Sequence, residues 1–284
     1  MAPSSPNEPL QARILNLAQS LQFGWFVGHA ILLLSVLRYG FSYLTFNSAS
    51  RWARFSYRTA FLSAVATYVI VVYKSAKAKA KREAQNKGSI QPLSFAFDEN
   101  VHYLVWAVVL LFTRQVPLAL LPFAIYSTFH VATYTRSQLL PVVFPSKAPT
   151  PAASGAAPRS EPPGYSALGN FIKAYYDPSM ATVALLEIAL IFRLAFSALL
   201  FVRLSWVTLI VYLLFFRMRY SQSQYIREGL AHIGARVDAL VANQGTPPVA
   251  RQVWEQTRGV LAKVVDVTDV RRYVSGPQAP KKEK

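Results

Sequence analysis

LQFGWFVGHAILLLSVLRYGFSY, Leu21 to Tyr43, decides the fold. At ~1.5 Å per residue a helix of this length crosses a hydrocarbon core of roughly 30 Å. A short loop with Arg51 and Arg54 leads to a second apolar run, Phe55 to Tyr73, whose charge, Arg58, lies near its start, where the side chain is expected to snorkel to the interface. Residues 21–73 are therefore expected to form an antiparallel pair of transmembrane helices. Residues 1–20 read as a polar segment with one basic residue, Arg13. No small-residue cleavage site follows the first apolar run, so that run is expected to stay as an anchor.

Composition agrees with an all-α polytopic membrane protein. Of 284 residues, 53% are hydrophobic and 15% charged, against about 25% charge in an average soluble domain. The net charge is +17, and the Lys and Arg residues cluster between and after the apolar runs, which points to anionic lipid headgroups as a partner. Nucleic acid is not expected as a partner, because no nucleic-acid-binding motif accompanies the basic balance. The chain has no cysteine, which excludes disulfides, thiolate nucleophiles and Cys-ligated metal.

KSAKAKAKREAQNKGS, Lys74 to Ser89, carries six basic residues and one acid. The bias of Lys and Arg toward the cytosol predicts a cytosolic loop over residues 74–100, a cytosolic N-terminus, and a lumenal loop between Leu44 and Arg54. The apolar region 101–136 contains Pro117 and Pro122, which remove helix hydrogen bonds. One kinked span, about 43 Å from Tyr103 to Val131, and a hairpin bent near Thr113 to Pro117 both fit. Residues 137–181, with a Pro, Ala and Ser-rich stretch from Pro145 to Gly164, read as a linker.

The apolar region 182–219 would reach roughly 52 Å from Thr182 to Phe216 as one helix, and it holds Glu187, Arg193 and Arg203. A turn near Arg203 would divide it into a hairpin. Residues 220–267 read as amphipathic helices. Ile226, Leu230, Ile233, Val237 and Leu240 share one face, opposite Arg227, Glu228, Arg236 and Asp238. A second helix is expected from Thr246 as N-cap with Pro247 at N1, its stripe being Val249, Val253, Trp254, Val260, Leu261 and Val264. Such helices lie in a membrane interface or pack on each other, and spacing alone leaves both open. Residues 268–284 form a basic tail.

Little of this points to catalysis. His29, His102 and His130 each lack a second ligand at i+3 or i+4, so imidazoles hydrogen-bonded to backbone or interfacial water are expected, with no metal or cofactor. No phosphate loop, nucleophile elbow or carboxylate pair is present, and no enzyme is expected. Glu187 and Arg193, six residues apart, do not share a helical face; a charge inside an apolar segment often marks a transport path. The candidate membrane-surface or partner-binding residues are Lys74, Lys77, Lys79, Lys81 and Arg82, with the two amphipathic stripes. Lys281 and Lys282, fourth and third from the carboxyl end, match a dilysine signal for retrieval to the endoplasmic reticulum if the tail is cytosolic.

HYLVWAVVLLFTRQVPLALLPFAIYSTFHVATYTR, His102 to Arg136, resembles the central signature of the transmembrane protein 33 family. The match rests on His102-Tyr103-Leu104, Pro117, Pro122, Phe123 and the block His130 to Thr135, supported by FFRMRYSQSQY, Phe215 to Tyr225, and extends from Leu21 to about Val241. The resemblance implies a multi-pass protein of the endoplasmic reticulum membrane and nuclear envelope. It further implies association with reticulon-type membrane-shaping proteins and nuclear pore components, and binding of a nuclear import receptor through C-terminal amphipathic helices. The expected function is membrane shaping or scaffolding in nuclear pore distribution or assembly and in tubule organisation. The alternative is a small oligomeric transporter or channel with Glu187, Arg193 and Arg203 along a polar path.

Overall fold

The computed structural model describes residues 9–86, 97–145 and 161–268, and these are helices and turns without strands. In chain order they are α1 (Leu10–Ala18), α2 (Leu21–Leu44), α3 (Arg51–Asn86), α4 (Glu99–Phe112), a 3-10 turn (Pro117–Ala119), α5 (Leu120–Tyr134), a π turn (Thr135–Leu139), α6 (Leu140–Val143), α7 (Tyr165–Leu199), α8 (Ser205–Gln222), α9 (Gln224–Ala242) and α10 (Pro248–Val267). The chain divides into two units, Met1–Arg219 and Tyr220–Lys284.

Among the described residues three helices are long and apolar enough to cross a membrane: Leu21–Leu44, Arg51–Arg82 and Tyr165–Leu199. Their outer faces carry Leu34, Leu37, Phe192 and Phe196, each at least 60% exposed. Aliphatic and aromatic groups on that scale belong against acyl chains, where exposure carries no hydrophobic penalty. The inward face of α3 sets Ala53, Ala60 and Ala64 among Tyr57, Phe61 and Tyr68, and packing against α2 is close. A Cβ at Gly28 of α2 would fall 2.5 Å from the Thr67 methyl of α3, so only glycine permits this approach.

Region 101–136 is a hairpin. Tyr103 of α4 and Tyr126 of α5 would lie about 35 Å apart along one helix, yet their rings are 5.4 Å apart. The 3-10 turn at Pro117 starts the return arm with the imide nitrogen where no donor is needed. The second hairpin turns over Leu200–Leu204, Arg203 among them, between α7 and α8. Phe201 and Leu204 there have positive φ, and so does Phe46 between α2 and α3, each costing roughly 1 kcal/mol or more for a side chain of this bulk.

Several elements depart from the expectations. Lys74–Asn86 is not loop but the continuation of α3, because Ala, Lys, Arg, Glu and Gln are strong helix formers. Residues 10–18 of the supposedly polar N-terminal segment form α1. The linker is shorter than 137–181: helix persists to Val143, and α7 begins at Tyr165 and runs through Pro178. Arg58 does not snorkel. Its guanidinium donates to the carbonyls of Leu110, Leu111 and Thr113, the orphan acceptors at the C-terminus of α4. The last helix takes Pro247 as N-cap and Pro248 at N1, one residue beyond the expected Thr246 and Pro247; the Thr246 hydroxyl instead donates to the Leu240 carbonyl at 2.8 Å.

Candidate functional site

The first unit closes on a buried polar clamp. Glu187, on the inward face of α7, is 1% exposed. Its Oε1 accepts from the Tyr103 hydroxyl of α4 at 2.5 Å, and its Oε2 from Arg219 Nε of α8 at 3.2 Å. Arg219 also donates to the Tyr126 hydroxyl of α5 at 3.1 Å and to the carboxylate of Glu99, the first residue of α4. The Tyr103 and Tyr126 hydroxyls share a hydrogen bond of 3.1 Å. Tyr212 of α8 donates to the Glu187 carbonyl at 2.6 Å. Arg219 and Glu187 thus bind both hairpins together, and the two buried charges are paired and hydrogen-bonded, as burial demands.

Aromatic rings seal the clamp. Tyr68 of α3 stacks on Tyr103, Phe123 and Phe215 meet Tyr103 edge-on, and Trp106 lies against Tyr212. The packing beside Glu187, among Tyr103, Pro122 and Leu190, leaves no void for a water molecule. Arg193 and Arg203 take no part. Arg193 is exposed and donates to Ser197 one turn along its own helix, and Arg203 is exposed in the turn. Arg219 was not singled out from the sequence, because one Arg in a basic stretch after an apolar arm looks like an interfacial anchor. The available signal was its place in FFRMRYSQSQY, the stretch that supported the family resemblance.

Two of the four histidines meet across the bundle, as no local spacing could tell. His29 of α2 and His130 of α5 have ring centroids 4.7 Å apart, with Trp25 against both. His29 Nδ1 is 2.9 Å from the Ser127 hydroxyl. Among the described residues no group of three or more His, Cys, Asp or Glu could hold a metal ion.

The basic residues line the exposed end of α3. Lys74, Lys77, Lys81 and Arg82 are exposed and Lys79 is half-buried. This end is tied to the start of α4: Ser75 donates to Asp98 at 3.1 Å, and Lys79 Nζ lies 3.7 Å from it. Burial acts to raise the Asp98 carboxyl, but donation from Asn100 and Ser75, with the Lys79 charge, holds it below the usual carboxylate range.

In the second unit, α9 and α10 pair through Asp238, which accepts from Trp254 Nε1 at 2.7 Å and Arg258 at 2.9 Å. The α9 stripe is partly covered: Ile226 is buried, Leu230, Ile233 and Val237 are half-buried, and Leu240 is exposed. The α10 stripe is bare. Val249, Val253, Val260, Leu261 and Val264 are all at least 50% exposed, and Trp254 is half-buried. Lys281 and Lys282 lie outside the described residues.

Comparison with known proteins follows these features closely. The family profile described as Transmembrane protein 33/Nucleoporin POM33 matches residues 4–266. The chain is 48% identical over 289 residues to "Nucleoporin POM33" of Chaetomium thermophilum, covering 99% of each chain. It is 34% identical to "Tetra-spanning protein 1" of Schizosaccharomyces pombe, over 90% of this chain and 88% of that one. It is 28% identical to "Pore membrane protein of 33 kDa" of Saccharomyces cerevisiae, over 98% and 96%. No solved structure matches. The clamp residues and the amphipathic helices to Asp266 all fall within the matched span, and the chain belongs to the transmembrane protein 33/nucleoporin POM33 family.

Proposed function

We propose that this protein is a membrane-shaping scaffold of the endoplasmic reticulum and nuclear envelope that contributes to nuclear pore distribution or assembly. The observation that carries the reading is the bare valine and leucine stripe of α10, attached in sequence to a bundle whose outer face suits lipid. An apolar helical face of this kind gains roughly 25 cal/mol for each Å² it removes from water. Packing defects in the outer leaflet of a curved bilayer offer such a surface. The bundle supplies the anchor and α9–α10 the wedge. The relatives' names, a nucleoporin and a pore membrane protein, support the pore.

In this proposal the Lys74 to Arg82 face lies against anionic headgroups on the cytosolic side, each charge adding about 1 kcal/mol near the surface. Both termini are cytosolic, and Lys281 and Lys282 act as a retrieval signal. Reticulon-type proteins, nuclear pore components and an import receptor are the proposed partners, and no reaction is catalysed. The transport alternative loses support at Glu187, which is buried, bonded to Tyr103 and Arg219, and separate in bonding from Arg193.

Flotation of the purified full chain with small, highly curved and large, flat vesicles tests the reading. Preference for the curved vesicles, lost on deleting residues 225–265, is expected. Equal occupancy of both, unaffected by that deletion, would overturn it.

A further inference from the structure

We propose that α1 is a further membrane-binding element, lying at the boundary of headgroups and acyl chains and stapled there by Arg13. Leu10, Ile14 and Leu17 recur at spacings of four and three, one helical face. Leu10 and Ile14 are 44% and 43% exposed, Leu17 half so. The stripe leads into Leu21, 47% exposed, the first residue of the spanning helix α2. Only Gln19 and Ser20 separate the two helices, and the Ser20 hydroxyl caps α2 by accepting from the Phe23 amide at 3.0 Å. A nine-residue helix extends about 14 Å, so with the two linking residues no part of α1 lies farther than roughly 25 Å from the mouth of the span.

Arg13 fixes how α1 is held. It is 8% exposed, and its guanidinium donates to the Val142 carbonyl of α6 at 2.7 Å. That carbonyl is among the last of α6, where no intrahelical donor reaches. The bond joins the N-terminal helix to the end of the first hairpin's return arm and leaves Leu10 and Ile14 exposed beside it. The occupant argued for is lipid, because the stripe is continuous with a lipid-facing helix. Arg13 is the one basic residue in this helix and is buried, so the attachment is apolar and independent of headgroup charge, unlike that of the Lys74 to Arg82 face.

The chain has no cysteine, which permits clean labelling. Ile14→Cys, Asn16→Cys and Leu34→Cys, each carrying an environment-sensitive fluorophore, are reconstituted as full chains in vesicles of zwitterionic lipid with bromine near either end of the acyl chain. At position 14 a blue-shifted emission is expected, quenched more by bromine near the headgroup. Position 34 should be quenched more by deep bromine and position 16 should stay aqueous. Adding Arg13→Met should at least halve the quenching at 14 without altering 34. Aqueous emission at 14, or a blue shift that no brominated lipid quenches because protein covers the face, would overturn the inference. So would quenching at 14 that Arg13→Met leaves unchanged. A loss of deep quenching at 34 would indict the membrane reading of α2 instead.

Discussion

Glu187–Arg219 and Asp238–Arg258 are the same carboxylate–guanidinium chemistry in opposite surroundings. In the bundle the two side chains are 2% and 5% exposed and share three further partners, Tyr103, Tyr126 and Glu99. Between α9 and α10 they are 41% and 63% exposed, with the Trp254 indole as the added donor. A buried pair is costly to assemble and costlier to break, since the surviving charge is left without water. A solvated pair is screened and contributes little. The bundle is therefore held in one arrangement, whereas the α9–α10 pair is weakly fastened, as its proposed exchange of these contacts for lipid requires.

The largest effect should come from Arg219→Met, which leaves Glu187 buried without a cation. A loss of ~3–5 kcal/mol is expected, read as a fall in thermal stability in detergent. Glu187→Gln should lose clearly less, because an amide still accepts from Tyr103 and Arg219 still pairs with Glu99. Transport by reconstituted vesicles that vanishes in that variant would favour the transport alternative, whereas a retained preference for curved vesicles would favour scaffolding. Next is Gly28→Ala, whose methyl collides with Thr67; about 1–3 kcal/mol of overpacking is expected. Thr67→Ser removes the colliding methyl and keeps the hydroxyl that bonds the Ala64 carbonyl, so the double variant should recover most of the loss.

Smaller effects lie outside the core. The Asp98 carboxyl is held below its ordinary value in the folded chain, so its stabilisation of the α3–α4 junction is fully present above the unfolded pKa, about 4. It is lost as pH falls through the folded value. Asp98→Asn should flatten that acid limb of the thermal-stability profile by lowering stability at neutral pH, the two chains converging in acid. Val253→Asp with Val260→Asp should leave thermal stability within error while abolishing the preference for curved vesicles. Arg258→Gln should move neither by a measurable amount.

The sequence disclosed the bundle through its apolar lengths, since a run too long for one crossing and interrupted by Pro117 or Arg203 has few ways to fit a bilayer. It also disclosed the α9 and α10 stripes through their spacing. It hid what depends on contacts distant along the chain. Glu187 was noticed for its cost, but its partner lies on another helix, and Arg193, nearer in sequence, drew attention that Arg219 merited. His29 and His130 meet across two helices, so a search at i+3 and i+4 finds neither. Lys74 to Asn86 misled for a different reason: its charge suggested loop, while its alanines and lysines favour helix just as strongly.

Backbone hydrogen exchange of the full chain in lipid nanodiscs and in detergent bears most directly on the contrast between the clamped bundle and the α9–α10 pair proposed to enter lipid. Amides of residues 182–219 should exchange equally slowly in both, and those of residues 249–264 should become markedly slower only when a bilayer is present. Equal exchange of residues 249–264 in the two settings, or bilayer-dependent protection around Glu187, would contradict the account.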